Sequence, residues 1–216
     1  MTGSERAGSN GPARPVSADA DDPIGRIGPN AITRLVEAIG DREGADRATA
    51  VLRDAGLDAY IEALPQRMVD EAHVAALYRA AVAALGEPLA VELAAEAGKR
   101  TGDYLLAHRI PKPAQALLRV LPPSLASFVL LKAIGRHAWT FTGSGRLVVG
   151  KGHPLPVDIV GGAIAAAGPA AGPLARFYAA TFQRLYRELV SPRSTVEEHL
   201  ADVEGTPACR LRLAWR

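Results

Sequence analysis

Apolar residues recur three and four positions apart through the first two thirds of the chain, which is the period of an amphipathic helix. Pro29 suits the start of a helix, and Asp70 suits the cap of a later one. Gly56 and the prolines at 111, 113, 122 and 123 interrupt the pattern. The predicted helices are one from Pro29, one over 42–55, one capped by Asp70, one over 88–108, one opened by Pro111 and Pro113, and one over 124–136.

Strand-forming residues take over at Ala138. Aromatic and β-branched residues on both sides of Gly143-Ser144-Gly145 predict a hairpin. There follow a predicted strand at 155–160, a helix over 174–189, and a second hairpin of strands 194–203 and 207–215 turning near Gly205. This order predicts an α+β fold in which the N-terminal helices pack on an antiparallel sheet of hairpins.

The chain divides into a tail and one domain. Residues 1–23 have almost no large apolar side chain and are predicted to be a disordered tail. Residues 24–216 are enough for a single α+β domain. Within it, 24–137 are mainly helical and 138–216 follow the order hairpin, helix, hairpin.

Charge is distributed unevenly, although the net charge is only +2 and gives no case for nucleic acid. Residues 1–98 contain 9 basic and 16 acidic residues, and 99–216 contain 16 and 7. The stretch 99–152 has nine basic residues against Asp103 alone. Such a surface suits anionic ligands or acidic partners. Alternatively, these basic residues form ion pairs with the acidic residues in the first half of the same chain.

Known cofactor and catalytic motifs do not occur. Gly143-Ser144-Gly145 lacks dinucleotide-loop spacing, no Gly-Lys-Ser or Gly-Lys-Thr is present, and no serine lies in a nucleophile elbow. No tightly bound cofactor is therefore predicted. The only cysteine, Cys209, excludes an internal disulfide. In the predicted last hairpin Ala201 lies opposite Cys209, so His199 and Cys209 become diagonal neighbours; with no third ligand, a structural role is favoured and metal binding stays open.

The segment 96–141 is the richest in candidate ligand-binding residues. Arg100, Tyr104 and His108 recur every four positions on one helix, with Arg109 next to them. Aromatic rings would stack on a flat apolar ligand, cations would meet its carboxylates, and a neutral imidazole would coordinate a central metal. Alternatively, these residues are part of the hydrophobic core at a corner of the fold, with the histidine hydrogen-bonded inside the protein and no ligand bound. A second group gathers at a predicted helix-to-strand corner: Arg136, His137, Trp139 and Phe141.

The run Ala97–Pro111, which reads AGKRTGDYLLAHRIP, resembles the bacteriochlorophyll 4-vinyl reductase family. The same family is also resembled at three other segments, Ala114–Leu118, His137–Phe141 and Ile27–Ala31. The likeness extends from about residue 24 to residue 215. The resemblance implies a protein of bacteriochlorophyll biosynthesis. Its C-terminal part would be a small-molecule-binding domain similar in fold to subunits of a vesicle-tethering complex. Related domains often have paired cysteines in the last hairpin. In this sequence Leu200 or His199 stands near the position expected for the first of those cysteines.

The family name implies reduction of the 8-vinyl group of a divinyl protochlorophyllide or chlorophyllide. That chemistry needs a hydride or electron source, which cofactors normally supply. Two hypotheses follow: a carrier of a magnesium tetrapyrrole between pathway enzymes, which we prefer, and an 8-vinyl reductase with an external reductant. A scaffold acting through protein contacts is a third.

For the carrier, His137 is the first expected axial ligand to the magnesium and His108 the second. Arg100, Arg109 and Arg136 would meet propionates, while Tyr104, Trp139 and Phe141 line the apolar wall. Expected partners are magnesium chelatase, a methyltransferase or a second copy of the chain. With a polar N-terminus and no apolar run long enough to span a bilayer, the expected location is the cytoplasm or the periphery of the photosynthetic membrane.

Overall fold

The computed structural model describes residues 25–216, so the predicted tail at 1–23 lies outside the described residues. The helices are α1 (Asn30–Glu43), α2 (Ala45–Asp54), α3 (Ala59–Glu62), α4 (Glu71–Leu85), α5 (Glu87–His108), α6 (Lys112–Val120), α7 (Pro123–Arg136), α8 (Trp139–Thr142), α9 (Gly162–Ala167) and α10 (Ala171–Leu189). The strands are β1 (Arg26–Ile27), β2 (Val69–Asp70), β3 (Arg146–Val149), β4 (Leu155–Val160), β5 (Thr195–Val203) and β6 (Thr206–Ala214).

Helices cover one face of a four-stranded antiparallel sheet with the order β3-β4-β6-β5. The helices α9 and α10 pack on this sheet, α5 packs on α10, and α1 packs on α5. The short strands β1 and β2 form a separate antiparallel pair. The predicted α+β class, helices with an antiparallel sheet, is confirmed.

The core lies between α5, α10 and the sheet. The α10 helix buries apolar side chains on both of these neighbours, including Leu174, Tyr186 and Leu189, which have almost no exposed surface. Asp70 accepts a hydrogen bond from the backbone N–H of Ala72, as its predicted capping role requires. The second predicted helix begins three residues late, because Gly44 adopts a positive φ of 94° and separates α1 from α2.

The predicted hairpin around Gly143-Ser144-Gly145 is wrong. Trp139–Thr142 form a helical turn, and the hairpin consists of β3 and β4 with its loop at 150–154. The aromatic and β-branched residues that suggested a strand are instead placed by tertiary contacts, since Thr140 accepts a backbone hydrogen bond from Gly28 at 2.7 Å.

The predicted register of the last hairpin is also wrong, by one residue. Leu200, and not Ala201, pairs with Cys209, while His199 pairs with Arg210. Because side chains alternate along a strand, His199 and Cys209 lie on opposite faces of the sheet. The predicted diagonal pair of metal ligands therefore does not form.

Within residues 25–216, no helix combines the length and the apolar character that crossing a bilayer requires.

Candidate functional site

An aromatic and cationic cluster lies at the C-terminal end of α5. The rings of Tyr104 and His108 are 4.9 Å apart between centroids and tilted by 41°. The guanidinium carbons of Arg34 and Arg109 lie 5.4 and 5.9 Å from the centroid of the Tyr104 ring. These are cation–π distances. We call these four residues the α5 cluster; it brings together three residues predicted from the sequence and adds Arg34 from α1.

Arg34 was not predicted. Its Nη1 donates hydrogen bonds to both carboxylate oxygens of Glu37, at 2.9 and 2.7 Å. Its Nε is buried and has no hydrogen-bond partner within residues 25–216. The sequence offers no signal for this arrangement, because Arg34 lies beside the apolar stripe of α1 and its partial burial depends on contact with α5.

Arg100 is the member of the predicted set that the structure assigns to internal ion pairs. Its Nη1 donates to Asp41 at 2.7 Å and its Nε donates to Glu96 at 3.1 Å. The hydrogen bond to Asp41 raises the pKa of Arg100, and the one to Glu96 adds to it. Arg100 therefore has fewer free N–H groups for a ligand than Arg109, for which no side-chain hydrogen bond is described within residues 25–216.

The predicted corner is divided between surface and core. Arg136 and His137 are exposed, and Trp139 is 50% exposed. Phe141 instead points inward, with its ring 6.3 Å from those of Tyr178 and Phe182. We call Arg136, His137 and Trp139 the α8 corner; Phe141 anchors it to the core.

The N-terminal end of α1 connects the two groups. The Gly28 N–H donates to Thr140 in α8, and Pro29 follows directly. Arg34 lies five residues farther along, a rise of about 8 Å at 1.5 Å per residue. The α8 helix and the α5 cluster thus both contact the segment from Gly28 to Arg34.

Glu71 fixes the segment that leaves the corner. Its carboxylate accepts hydrogen bonds from the backbone N–H of Ser144, at 2.9 Å, and from the Ser144 hydroxyl. Gly143 adopts a φ of 61°, and a Cβ there would collide with the same carboxylate. Ser144 thus has a structural hydrogen bond, in keeping with the absence of a nucleophile motif around it.

The interior near α10 contains polar groups with raised pKa values. Burial raises the pKa of the Cys209 thiol to about 12, so it is not a thiolate at neutral pH. The Tyr178 hydroxyl donates to the carbonyl of Phe141 at 2.8 Å. Within the described part of the chain, no three His, Cys, Asp or Glu side chains are placed to hold a metal ion.

Two surface depressions lie away from the predicted residues. One, of about 500 Å³, is lined by residues of α2 and α4 that include Asp54 and Arg79. The other, of about 460 Å³, is lined by Arg119 and by residues 187–192. Neither lining includes a residue of the α5 cluster or of the α8 corner.

Comparison with known proteins gives relatives that match most of the chain. The chain is 40% identical to the bacteriochlorophyll synthase 23 kDa chain of Cereibacter sphaeroides over 188 aligned residues. The alignment covers 87% of this chain and 90% of the relative. The chain belongs to this family. The bacteriochlorophyll synthase 23 kDa chain of Rhodobacter capsulatus is 39% identical over 196 residues, covering 90% of this chain and 89% of the relative. No family model matches the chain.

The fold is similar to that of a T. tengcongensis H-NOX protein, with a TM-score of 0.50 and 13% identity over 84% of this chain and 93% of that one. At this identity the likeness concerns the fold alone. The family's names place the relatives in the bacteriochlorophyll pathway, as the resemblance predicted. The predicted likeness to vesicle-tethering subunits is corrected, because the similar solved structures are H-NOX proteins. The narrower assignment to vinyl reductases stays a prediction.

Proposed function

We propose that this protein binds a magnesium tetrapyrrole intermediate of bacteriochlorophyll biosynthesis and carries it between pathway enzymes. The observation that carries the proposal is the α5 cluster, in which two cations and an imidazole surround the half-buried ring of Tyr104. Its support comes from membership in a family whose members are named for bacteriochlorophyll synthesis.

The chemistry of the cluster suits such a cargo. A tetrapyrrole intermediate is flat, apolar over its faces and anionic at its propionates. Tyr104 and Trp139 would contact the ring, while Arg34, Arg109 and Arg136 would pair with carboxylates. His108 and His137 are both exposed, and either neutral imidazole would serve as an axial ligand to the magnesium. Of the two we favour His108, since its ring lies beside that of Tyr104 in the α5 cluster.

Binding is tested by titrating the purified protein with magnesium protoporphyrin and following absorbance and fluorescence. We expect a saturable shift of the Soret band that His108→Ala weakens more than His137→Ala. His199→Ala is the matched control, because His199 is equally exposed but lies on β5, outside the cluster. If wild-type protein leaves the Soret band and the aggregation of the pigment unchanged, the proposal fails.

Carriage and reduction make different predictions for the bound pigment. A carrier releases the tetrapyrrole unchanged to a methyltransferase or accepts it from magnesium chelatase, the two partners expected for it. A reductase removes the vinyl absorbance when protein, divinyl substrate and NADPH or reduced ferredoxin are mixed. If the divinyl substrate is reduced in that mixture, the carrier hypothesis is replaced by the 8-vinyl reductase hypothesis. Partner pull-downs that succeed without pigment, together with no pigment binding, would favour a scaffold.

A further inference from the structure

The helices α6 and α7 present an exposed apolar surface with cations at its edge. On α7, Leu125, Phe128 and Val129 are exposed at positions i, i+3 and i+4, and Phe128 is 62% exposed. On α6, Leu117 and Val120 are also exposed, Val120 to 78%. Isolated exposed apolar residues are ordinary, whereas several on two adjoining helices indicate an interaction surface.

The opposite faces of both helices are anchored to the core, so the apolar side chains point outward for structural reasons. Gln115 on α6 is buried and donates hydrogen bonds to the carbonyls of Leu106 and Ile110. Ser127 on α7 is buried, with its hydroxyl 2.9 Å from that of Tyr186 in α10. Rotation of either helix to hide its outer face would leave these polar groups buried without partners.

Charge identifies the kind of partner. Residues 104–157, which include both helices, contain no Asp or Glu. The α7 stripe continues with Lys132 and Arg136 at i+7 and i+11 from Leu125, and neither forms an ion pair within residues 25–216. Apolar side chains bordered by cations, with an exposed Trp139 nearby, fit the interface of an anionic membrane.

A second copy of this chain fits the same surface less well. A symmetric dimer places the same patch on both sides of the interface. Lys132 and Arg136 would then approach their own copies without any acidic residue of 104–157 to compensate them. We propose that the outer face of α6 and α7 docks on the surface of an anionic phospholipid bilayer. This inference does not rest on tetrapyrrole binding, although Arg136 and Trp139 belong to both proposed surfaces.

Vesicle flotation without pigment tests the proposal. The full-length protein is mixed with vesicles of phosphatidylcholine alone or of phosphatidylcholine with phosphatidylglycerol, at low and high salt. We expect binding to the anionic vesicles, weakened by salt. Leu125→Ser/Phe128→Ser should reduce it by about tenfold or more, since each buried CH₂ group contributes about a factor of four. Lys132→Ala/Arg136→Ala should reduce it by about 30-fold, or about fivefold for each cation.

Two matched variants control for general loss of apolar or cationic surface. Val148→Ser/Val149→Ser removes exposed apolar residues from β3, and Arg193→Ala/Arg212→Ala removes exposed cations near and on β6. Both should bind anionic vesicles like the wild type. Absence of wild-type binding, equal binding to both kinds of vesicle, or equal losses in the controls would overturn the proposal. So would a wild-type dimer that Leu125→Ser/Phe128→Ser converts to a monomer while vesicles bind neither protein.

Discussion

Gly98 of α5 lies directly against the backbone of Phe177 in α10. A Cβ at Gly98 would stand 2.8 Å from the Cβ of Ala180 and closer still to the carbonyl oxygen of Phe177. Thr181 donates a hydrogen bond to the carbonyl of Gly98 at 3.0 Å. The close contact of α5 and α10, on which the α5 cluster depends, therefore requires the absence of a side chain at this position.

Gly98→Ala should lower the free energy of unfolding by about 2–3 kcal/mol, because α5 and α10 must separate to admit the methyl group. Gly135→Ala is the matched control in another helix, where a Cβ would meet no atom within 4 Å. It should raise the free energy of unfolding by about 0.5–1 kcal/mol. Urea denaturation measures both, and equal effects would contradict the packing argument.

Tyr78 is fully buried, and its hydroxyl has no hydrogen-bond partner among the residues that the structure describes. Tyr78→Phe should raise the free energy of unfolding by about 1 kcal/mol, since it removes an unpaired buried polar atom. Tyr186→Phe, at an equally buried ring, should lower it by about 1 kcal/mol because it leaves the Ser127 hydroxyl unpaired. Thermal unfolding of the two variants side by side tests the contrast; loss of stability in both would show that the Tyr78 hydroxyl has a partner.

Glu188 joins α10 to α6 by accepting a hydrogen bond from Arg119, and it accepts another from Arg184 of its own helix. The bond from Arg184 and then that from Arg119 lower the pKa of Glu188 below its ordinary value of 4.5, against the effect of burial. A lowered pKa stabilises the fold above the pKa of the unfolded chain, and the contribution is lost as the pH falls through the folded value.

Glu188→Gln should therefore reduce the free energy of unfolding at neutral pH by about 0.5–1 kcal/mol, since the group is one third exposed and screened by solvent. The difference from wild type should decrease as the pH falls below the ordinary pKa of 4.5 and disappear below the lowered pKa of the folded protein. Urea unfolding at neutral and acidic pH provides the measurement. Glu43→Gln, at an exposed residue for which no ion pair is described, should show no such pH dependence; a difference for Glu188→Gln that persists in acid would refute the electrostatic origin.

Helical periodicity was sufficient to predict the long helices, because each buries one continuous stripe. It was insufficient for α8, whose residues favour strands but whose backbone is held by Gly28. The register error in the last hairpin comes from its turn. Glu204 and Gly205 both have positive φ, 55° and 78°, as in a tight two-residue turn, whereas a turn centred on Gly205 shifts every pair by one.

Spacing along one helix correctly suggested that Tyr104 and His108 would meet. It did not indicate that Asp41, from another helix, would pair with Arg100, or that Arg34 would lie over Tyr104. Both contacts join α1 to α5, and their geometry follows from the packing of the whole domain. Spacing along α5 thus identified the Tyr104–His108 contact, whereas the contacts from α1 could not be predicted from the sequence.

Arg34 supplies a decisive test of carboxylate recognition by the α5 cluster. Its Nη2 forms no hydrogen bond within residues 25–216 and the side chain is 25% exposed, so a ligand carboxylate at Nη2 would gain a charge-assisted hydrogen bond. Arg34→Ala should raise the Kd for magnesium protoporphyrin by roughly tenfold or more, and Arg34→Lys should restore only part of the affinity. Arg42→Ala, at an exposed arginine of the same helix, should have no effect.

The dimethyl ester of the same pigment separates charge recognition from packing. It keeps the ring and the magnesium but has no carboxylate, so wild type and Arg34→Ala should bind it equally. If Arg34→Ala weakens the acid and the ester alike, Arg34 acts by holding the Tyr104 ring in place and the propionates bind elsewhere. If neither ligand distinguishes the variant from the wild type, the tetrapyrrole does not lie at the α5 cluster, and the α8 corner becomes the position to test.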